Sequence, residues 1–256
     1  MTDMVPAESI QPRTVNTFQG WQWIATGFHL FGKSPLIWIV FFMIYVVVEL
    51  VLAVFVPVIG AIASAFLDPV VIAGFMAGCR ALELDEELEI AHLFAGFSAN
   101  LRQLTTLGGI YLGGKILIIM LSMGATSVLY GPLPELDLAK LDAADPVQLS
   151  AAMHYMVMGV LVMALLVPLL MAYWFAPALV LFDGLAAVPA MKLSFAACLR
   201  NILPFTLYGL AGIFLFVLGS IPLGLGLLAV IPVLFATSVY AAYRDIFVAE
   251  TAESPS

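Results

Sequence analysis

The stretch GFHLFGKSPLIWIVFFMIYVVVELVLAVFVP (Gly27–Pro57) decides the fold of this chain. After Pro35 it carries an apolar run, interrupted only by Glu49, that is long enough to cross a bilayer, since a spanning helix needs about 20 residues. Similar runs recur along the chain. We predict spanning helices near residues 36–56, 58–80, 103–129, 154–182, 204–220 and 222–243.

The composition supports the same class of protein. Hydrophobic residues make up 63% of the chain and charged residues 10%, and the mean hydropathy is +1.11, whereas soluble domains carry about 25% charged residues. The chain is therefore predicted to be an all-α, multi-pass membrane protein whose main partner is the lipid bilayer. The net charge of −8 argues against a nucleic-acid partner, which a basic patch would attract.

The lysines and arginines predict the orientation. Seven of the nine fall on one side of the predicted spans, namely Arg13, Lys33, Arg80, Arg102, Lys192, Arg200 and Arg244. Only Lys140 falls on the other side, and Lys115 lies within the third span. Because basic residues accumulate in cytoplasmic segments, both termini are predicted to be cytoplasmic, with residues 1–17 a disordered tail and 248–256 a second tail.

A short motif precedes three of the apolar stretches. Its skeleton is Phe, two residues, Phe or Cys, two residues, then Ser or Asn, and its three copies are Phe28/Phe31/Ser34, Phe94/Phe97/Asn100 and Phe195/Cys198/Asn201. Each copy lies on an amphipathic stretch with a basic residue nearby, a pattern typical of a helix lying in the headgroup plane. We therefore predict three interfacial helices, each followed by a helical hairpin.

These units predict three parallel repeats, near residues 18–80, 81–182 and 183–247, within one transmembrane domain over 18–247. The second helix of each hairpin carries two prolines and ends near a charged residue, Arg80, Asp183 or Arg244. One external insert, about 131–152, interrupts the middle hairpin. Near Asp145–Pro146 we predict the start of a short helix, because Asp caps helices and Pro suits their first turn.

Three ionisable residues lie within the predicted spans, where charges are costly and mark sites of function or of packing. They are Glu49, Asp68 and Lys115. A Glu49–Lys115 pair would fix helix packing, with Asp68 capping a helix break at Pro69. Alternatively, the three residues form an ion or proton relay. Gly108, Gly109, Gly113 and Gly114 favour close helix packing, within one chain or between chains.

No enzyme is indicated by the sequence. We find no phosphate loop, nucleophile elbow or HExxH motif, and no histidine has a second ligand at helical spacing. We therefore expect no cofactor, no metal and no catalytic residue. Cys79 and Cys198 are predicted to be free and buried.

The favoured function is structural, assembly or envelope-related; the alternative is a small transporter or channel. A homo-oligomer or an unidentified membrane partner is left open.

Two segments resemble a known group of proteins. FAPALVLFDGLAAVPAMKLSFAACLRN (Phe175–Asn201) and GWQWIATGFHLFGKSPLIW (Gly20–Trp38) resemble uncharacterised bacterial multi-pass inner-membrane proteins. That family is loosely related to the membrane domain of glycerophosphoryl diester phosphodiesterases. The resemblance implies a helical membrane fold and a bacterial inner-membrane location. It implies no catalytic residues, and the chain lacks the soluble phosphodiesterase domain.

Overall fold

The structure is a computed structural model that describes residues 10–132 and 146–248. Within these residues the chain is helical, with turns and short connections and no β-strand. The chain divides into two compact units. The first unit lies in Met1–Gly109 and Met171–Ser256, and the second is Ile110–Leu170. The predicted single transmembrane domain over 18–247 stays a prediction.

Eleven α-helices follow one another in the described residues. They are α1 (Gln19–Lys33), α2 (Pro35–Phe55), α3 (Pro57–Glu83), α4 (Ala95–Ser98), α5 (Leu101–Tyr130), α6 (Pro146–Trp174), α7 (Ala176–Phe182), α8 (Ala187–Arg200), α9 (Ile202–Ser220), α10 (Leu227–Pro232) and α11 (Ser238–Tyr243). A 3₁₀ helix, Ile90–Phe94, precedes α4, and π-helical turns Val233–Thr237 and Arg244–Val248 follow α10 and α11.

Six helical segments are long and apolar enough to cross a membrane, which confirms the predicted number of spans. They are Pro35–Phe55, Pro57–Glu83, Leu101–Tyr130, Pro146–Phe182, Ile202–Ser220 and Leu227–Val248. In the most apolar window of the first span only 11% of residues are buried within the protein. Its exposed side chains are apolar, so contact with lipid is favourable for them and contact with water is not.

Prolines explain several helix boundaries. Pro35, Pro57 and Pro146 each begin a helix, where the missing N–H costs nothing and the fixed φ suits the first turn. A helix begins at Pro146, as predicted, but it is the fourth span and continues to Trp174, so the prediction that this helix is short is wrong. Residues 133–145 of the predicted insert lie outside the described residues.

The connection between the last two spans is a tight turn. Residues 221–226 form turns, with Leu223 at φ 54° and Gly224 at φ 78°. Left-handed backbone suits glycine and ends the preceding helix. The turn therefore separates α9 from the C-terminal span (Leu227–Val248), which starts five residues later than predicted.

Internal prolines are absorbed in different ways. α3 continues through Pro69, and α6 continues through Pro168. Pro232 is followed directly by the π-helical turn Val233–Thr237. A π-turn is a common way to accommodate a disturbed hydrogen-bond ladder. The prediction of a helix break at Pro69 is wrong.

The three segments predicted as interfacial helices differ from one another. α1 and α8 are regular helices of 15 and 14 residues, as predicted for the first and third motif copies. The second copy lies instead on the 3₁₀ helix Ile90–Phe94 and the single turn α4. Glu89 and His92 cap the 3₁₀ helix reciprocally, and Asn100 at φ 54° ends the segment. The repeat arrangement as a whole stays a prediction.

The core of the first unit contains two aromatic groups. Trp38 and Phe41 on α2 pack against Phe75 on α3, with ring centroids 6.5 and 6.1 Å from that of Phe75. Trp23 on α1 packs against Phe205 on α9 at 5.2 Å, and Phe175 does so at 5.8 Å. Apolar burial therefore joins α1 to α9 and α2 to α3.

Candidate functional site

The two acidic intramembrane residues lie in the first unit. Asp68, half-buried on α3, accepts a hydrogen bond from the hydroxyl of Tyr45 on α2 at 3.0 Å. Glu49 lies one turn after Tyr45 on α2 and is also half-buried. Tyr45 therefore joins α2 to α3 through Asp68, which gives this carboxylate a partner inside the apolar segment.

Lys115 lies in the second unit, on α5. Its Nζ is 4.8 Å from the ring centroid of Tyr111, one turn earlier on the same helix. Such a cation–π contact stabilises an ammonium group away from water. The two carboxylates belong to the other unit, and the predicted Glu49–Lys115 pair stays a prediction.

The motif residues divide into exposed aromatics and buried side chains. Phe28, Phe94 and Phe97 are 36%, 54% and 43% exposed, while Phe31 and Cys198 are buried; Phe195 and Ser34 are half-buried. The motif therefore does not form one continuous apolar stripe on each helix.

The two asparagines of the motif fasten backbone segments to one another. Asn100 donates from Nδ2 to the carbonyl of Val180 at 3.0 Å. Asn201 is fully buried, accepts from the backbone N–H of Val15 at 2.9 Å and donates to the carbonyl of Arg13 at 2.9 Å. Each asparagine thus satisfies backbone groups that are remote in sequence.

Residues 10–17 are fixed by these and further bonds. The backbone N–H of Arg13 donates to the carbonyl of Ile246 at 3.0 Å, and the Arg13 guanidinium pairs with Asp245. Arg200 donates to the carbonyl of Pro12 at 3.0 Å. The predicted disordered tail over 1–17 therefore differs from the structure at residues 10–17, while residues 1–9 lie outside the described residues.

The sequence analysis missed a cluster where three helical segments end. This helix-end cluster consists of Arg80, Glu83, Asp183, Tyr240, Tyr243 and Arg244. Tyr240 donates to Glu83 at 2.5 Å, and Tyr243 donates to Asp183 at 2.7 Å. The Arg244 guanidinium pairs with Glu83 at 3.0 Å. The cluster joins α3, the residue after α7, and the C-terminal span through charge-assisted hydrogen bonds.

Aromatic rings cover one side of the helix-end cluster. Arg80 Cζ lies 5.2 Å from the ring centroid of Phe182, whose centroid is 5.5 Å from that of Tyr243. Burial raises the pKa of Asp183 above its usual value, while the Tyr243 hydroxyl and the Arg80 charge act in the opposite direction. Desolvation of this carboxylate therefore outweighs its stabilising partners.

A third ion pair joins α1 to the residues that follow α3. Lys33 Nζ donates to the carbonyl of Leu82 at 2.7 Å and to the carboxylate of Asp85 at 2.6 Å. This hydrogen bond and the Lys33 charge lower the pKa of Asp85. The pair is solvated on its Asp85 side, so its main effect is to orient Lys33.

A groove of about 480 Å³ opens beside the helix-end cluster. This polar groove is lined by one face of α1, by the end of α3 and by the C-terminal span. Its lining is Gln19, Gln22, Trp23, Thr26, His29, Leu30, Lys33, Glu83, Tyr240, Ala241, Arg244 and Asp245. In this groove, charged and uncharged polar side chains line one open volume.

The cysteines are free and buried, as predicted. Burial raises the pKa of the Cys198 thiol to about 12, despite its hydrogen bond with Ser194. A thiol with so high a pKa is a poor nucleophile. Among residues 10–132 and 146–248, no group of three or more His, Cys, Asp or Glu side chains is placed to hold a metal ion.

The fold and the polar helix ends define a multi-pass membrane protein. The chain is 29% identical to a protein of Burkholderia thailandensis described as a probable inner membrane protein, over 91% of this chain and 92% of that protein. No family model matches the chain, and no solved structure matches it. The resemblance to the membrane domain of glycerophosphoryl diester phosphodiesterases stays a prediction.

Proposed function

We propose that this chain is a non-enzymatic protein of the bacterial inner membrane, with a structural or assembly role in the envelope and with both termini in the cytoplasm. The probable inner-membrane relative supports the location, because its match covers nearly the whole of both chains. A structural role is supported by the helix-end cluster, in which charged groups hold helix ends together.

The observation that carries the proposal is the way the charges are used. Arg244 holds Glu83, Arg13 holds Asp245, and Lys33 holds Asp85. Each pair joins segments that are remote in sequence. A catalytic acid or base must exchange protons with a substrate at reachable distance, whereas these charges contact one another. These ion pairs hold the segments together at the helix ends.

The same contacts support the proposed orientation. Four basic residues contact the ends of α3 or α7 or the C-terminal span, namely Arg13, Lys33, Arg80 and Arg244. Arg200, the last residue of α8, bonds to the same N-terminal segment as Arg13, through the Pro12 carbonyl. Basic residues are therefore gathered at one end of the first unit. The positive-inside rule assigns that end to the cytoplasm.

A transporter or channel using Glu49, Asp68 and Lys115 is the alternative function. The observation in its favour is the hydrogen bond from Tyr45 on α2 to Asp68 on α3. This bond shows a carboxylate between two spanning helices. Carboxylates at such depth are often functional. A transport role requires water to reach them.

Thiol labelling in intact spheroplasts separates the two functions. Single cysteines replace Glu49, Asp68 or Lys115 in a variant with Cys79→Ala and Cys198→Ala, and a small charged maleimide is added from outside. A structural role predicts protection at all three positions. Labelling at two or more of them at the rate of an exposed control would establish an aqueous path and refute the proposal.

Two matched controls fix the orientation in the same experiment. Pro132→Cys, in the connection after α5, is expected to react in intact spheroplasts. Lys192→Cys, exposed on α8, is expected to react only after the membrane is opened. The reverse pattern would place the termini outside and refute that part of the proposal.

A further inference from the structure

Helix α1 presents three different faces. Its buried face packs on the bundle, its aromatic face is exposed, and its polar face lines the polar groove. The buried face holds Gly20, Trp23, Ile24, Gly27, Leu30 and Phe31. The aromatic face holds Trp21 and Phe28, which are 43% and 36% exposed, and Phe18, directly before the helix, is 58% exposed. The polar face holds Gln19, Gln22, Thr26, His29 and Lys33. Exposed aromatics beside a polar face are the pattern of a helix at the lipid headgroups.

The charges that line the groove are balanced. Lys33 and Arg244 are basic, and Glu83 and Asp245 are acidic. Glu83 is held by Arg244 and by Tyr240. Asp245 accepts from Trp23 Nε1 at 2.9 Å and pairs with Arg13. The groove therefore offers fixed charges of both signs.

We propose that the polar groove binds a zwitterionic phosphodiester head group, one that carries a phosphate and an ammonium, and that a membrane phospholipid supplies it. Arg244 uses Nε to hold Glu83, and its guanidinium has further N–H donors that suit a phosphate. Its side chain is 44% exposed, so these donors are accessible.

The acidic residues of the groove provide hydrogen-bond acceptors for the ammonium of the head group. Glu83 is 35% exposed, and an ionised carboxylate can accept about four hydrogen bonds. Tyr240 and Arg244 supply two of them. A primary ammonium brings further donors, whereas a purely anionic head group would meet Glu83 and Asp245 as like charges.

The neighbouring surface favours a lipid over a soluble ligand. The exposed ring of Trp21 and its aromatic neighbours lie on the same helix as the polar lining. Aromatic side chains at this level pack beside acyl chains and headgroups. A lipid bound by its head group would keep its chains in the bilayer, so binding would not require extraction of the lipid.

The test uses the full-length protein in detergent, equilibrated with equal amounts of phosphatidylethanolamine and phosphatidylglycerol that share the same acyl chains. Native mass spectrometry counts the lipids that remain bound. We expect phosphatidylethanolamine to be retained in preference. Arg244→Gln is expected to lower this retention about tenfold, the effect of losing a charge-assisted hydrogen bond.

A second variant and a control distinguish binding from folding. Gln22→Trp fills the groove without touching an ion pair and is expected to lower retention to a similar extent. Arg102→Gln removes an exposed basic residue that does not line the groove, and is expected to leave retention unchanged. Equal retention in wild type and Gln22→Trp would overturn the proposal, as would equal retention of the two lipids.

A further arm separates a lipid from a soluble source. Glycerophosphoethanolamine carries the same phosphate and ammonium without acyl chains. If the membrane supplies the ligand, this compound displaces bound phosphatidylethanolamine only at a large excess. Displacement at an equal concentration would assign the groove to a soluble phosphodiester and overturn the proposed lipid source.

Discussion

Gly108 lies where α5 crosses α3, and its substitution tests how closely these helices pack. A Cβ built on Gly108 would lie 2.2 Å from the carbonyl oxygen of Ala65 and 3.0 Å from Cα of Phe66. Both are backbone atoms, so a rotamer change cannot relieve the overlap. On the same helix, a Cβ on Gly113 would meet nothing within 4 Å. Gly113→Ala is therefore a matched control.

The expected magnitude follows from two opposing effects. An ordinary carbon–oxygen contact is about 3.3 Å, so Gly108→Ala forces the helices about 1 Å apart at the crossing. Such overpacking costs about 1–3 kcal/mol. Replacing Gly by Ala within a helix stabilises it by about 1 kcal/mol. We therefore expect a net loss of up to about 2 kcal/mol for Gly108→Ala, and a gain of about 1 kcal/mol for Gly113→Ala, where no overpacking opposes it.

Thermal unfolding in detergent, followed by size-exclusion chromatography with fluorescence detection, measures the difference. For a chain of this size 1 kcal/mol corresponds to about 2–4 °C in Tm. Gly108→Ala should lower Tm by up to about 8 °C, and Gly113→Ala should leave it unchanged or raise it. If the two variants had the same Tm, the close crossing at Gly108 would be refuted. A lower Tm with Gly113→Ala alone would point to packing of that glycine between chains.

Three further predictions concern the polar ends. Burial raises the pKa of Asp183, so its contribution to stability is complete below the ordinary aspartate pKa of about 3.9 and is lost as pH rises through the raised pKa. The Tm of the wild type should therefore fall as pH rises from the ordinary to the raised pKa, and Asp183→Asn should abolish this fall. The same dependence of Tm on pH in the variant and the wild type would contradict this. The pKa of Asp85 is lowered, so the pH dependence of its contribution to stability is the reverse of that of Asp183. The contribution is present above the ordinary aspartate pKa and is lost as pH falls through the lowered pKa. Asp85→Asn should remove the fall in Tm at acid pH. A variant whose Tm depends on pH as the wild type does would argue against this. Asn201→Ala removes side-chain bonds to two backbone groups of the N-terminal segment and should speed tryptic cleavage after Arg13 about tenfold. Asn16→Ala, whose side chain bonds only locally, should not speed this cleavage.

The spans could be predicted because composition alone determines them. A run such as Pro35–Phe55 has a mean hydropathy of 2.8 over its most apolar window, and no soluble arrangement would bury it. The predicted starts of the first two spans each lie one residue after a proline that begins the helix, Pro35 or Pro57, since the fixed φ of proline suits the first turn. A proline alone does not fix a helix start, however. The last span was predicted to begin at Pro222, but the chain turns at residues 221–226 and α10 begins at Leu227. The fourth span begins at Pro146 and not near residue 154.

The second interfacial segment could not be predicted because tertiary packing overrides its pattern. A Cβ on Gly96 would lie 2.2 Å from the carbonyl oxygen of Val70, so this turn lies directly against α3. Asn100 adopts a left-handed backbone and bonds to the Val180 carbonyl. Periodicity reports a local apolar face. It carries no information about such remote backbone contacts.

The candidate site was only partly visible in the sequence. Arg80, Asp183 and Arg244 were recognised as charged exits, but their partners were not. Tyr240 and Glu83 are 157 positions apart, and nothing local indicates that their side chains meet. Tyrosine is also counted among the hydrophobic residues of the composition, so its role as a hydrogen-bond donor to a carboxylate is hidden there.

The charges of the helix-end cluster have a consequence for the predicted repeats. If all three charged exits were arginines, like charges would meet where the three segments end, and close like charges destabilise a structure. The middle exit is instead Asp183, and Glu83 adds a second carboxylate beside Arg244. Two arginines therefore meet two carboxylates, so the helix ends attract one another. Under the predicted repeat, the acidic exit of the middle copy thus supplies a carboxylate that three arginine exits would lack.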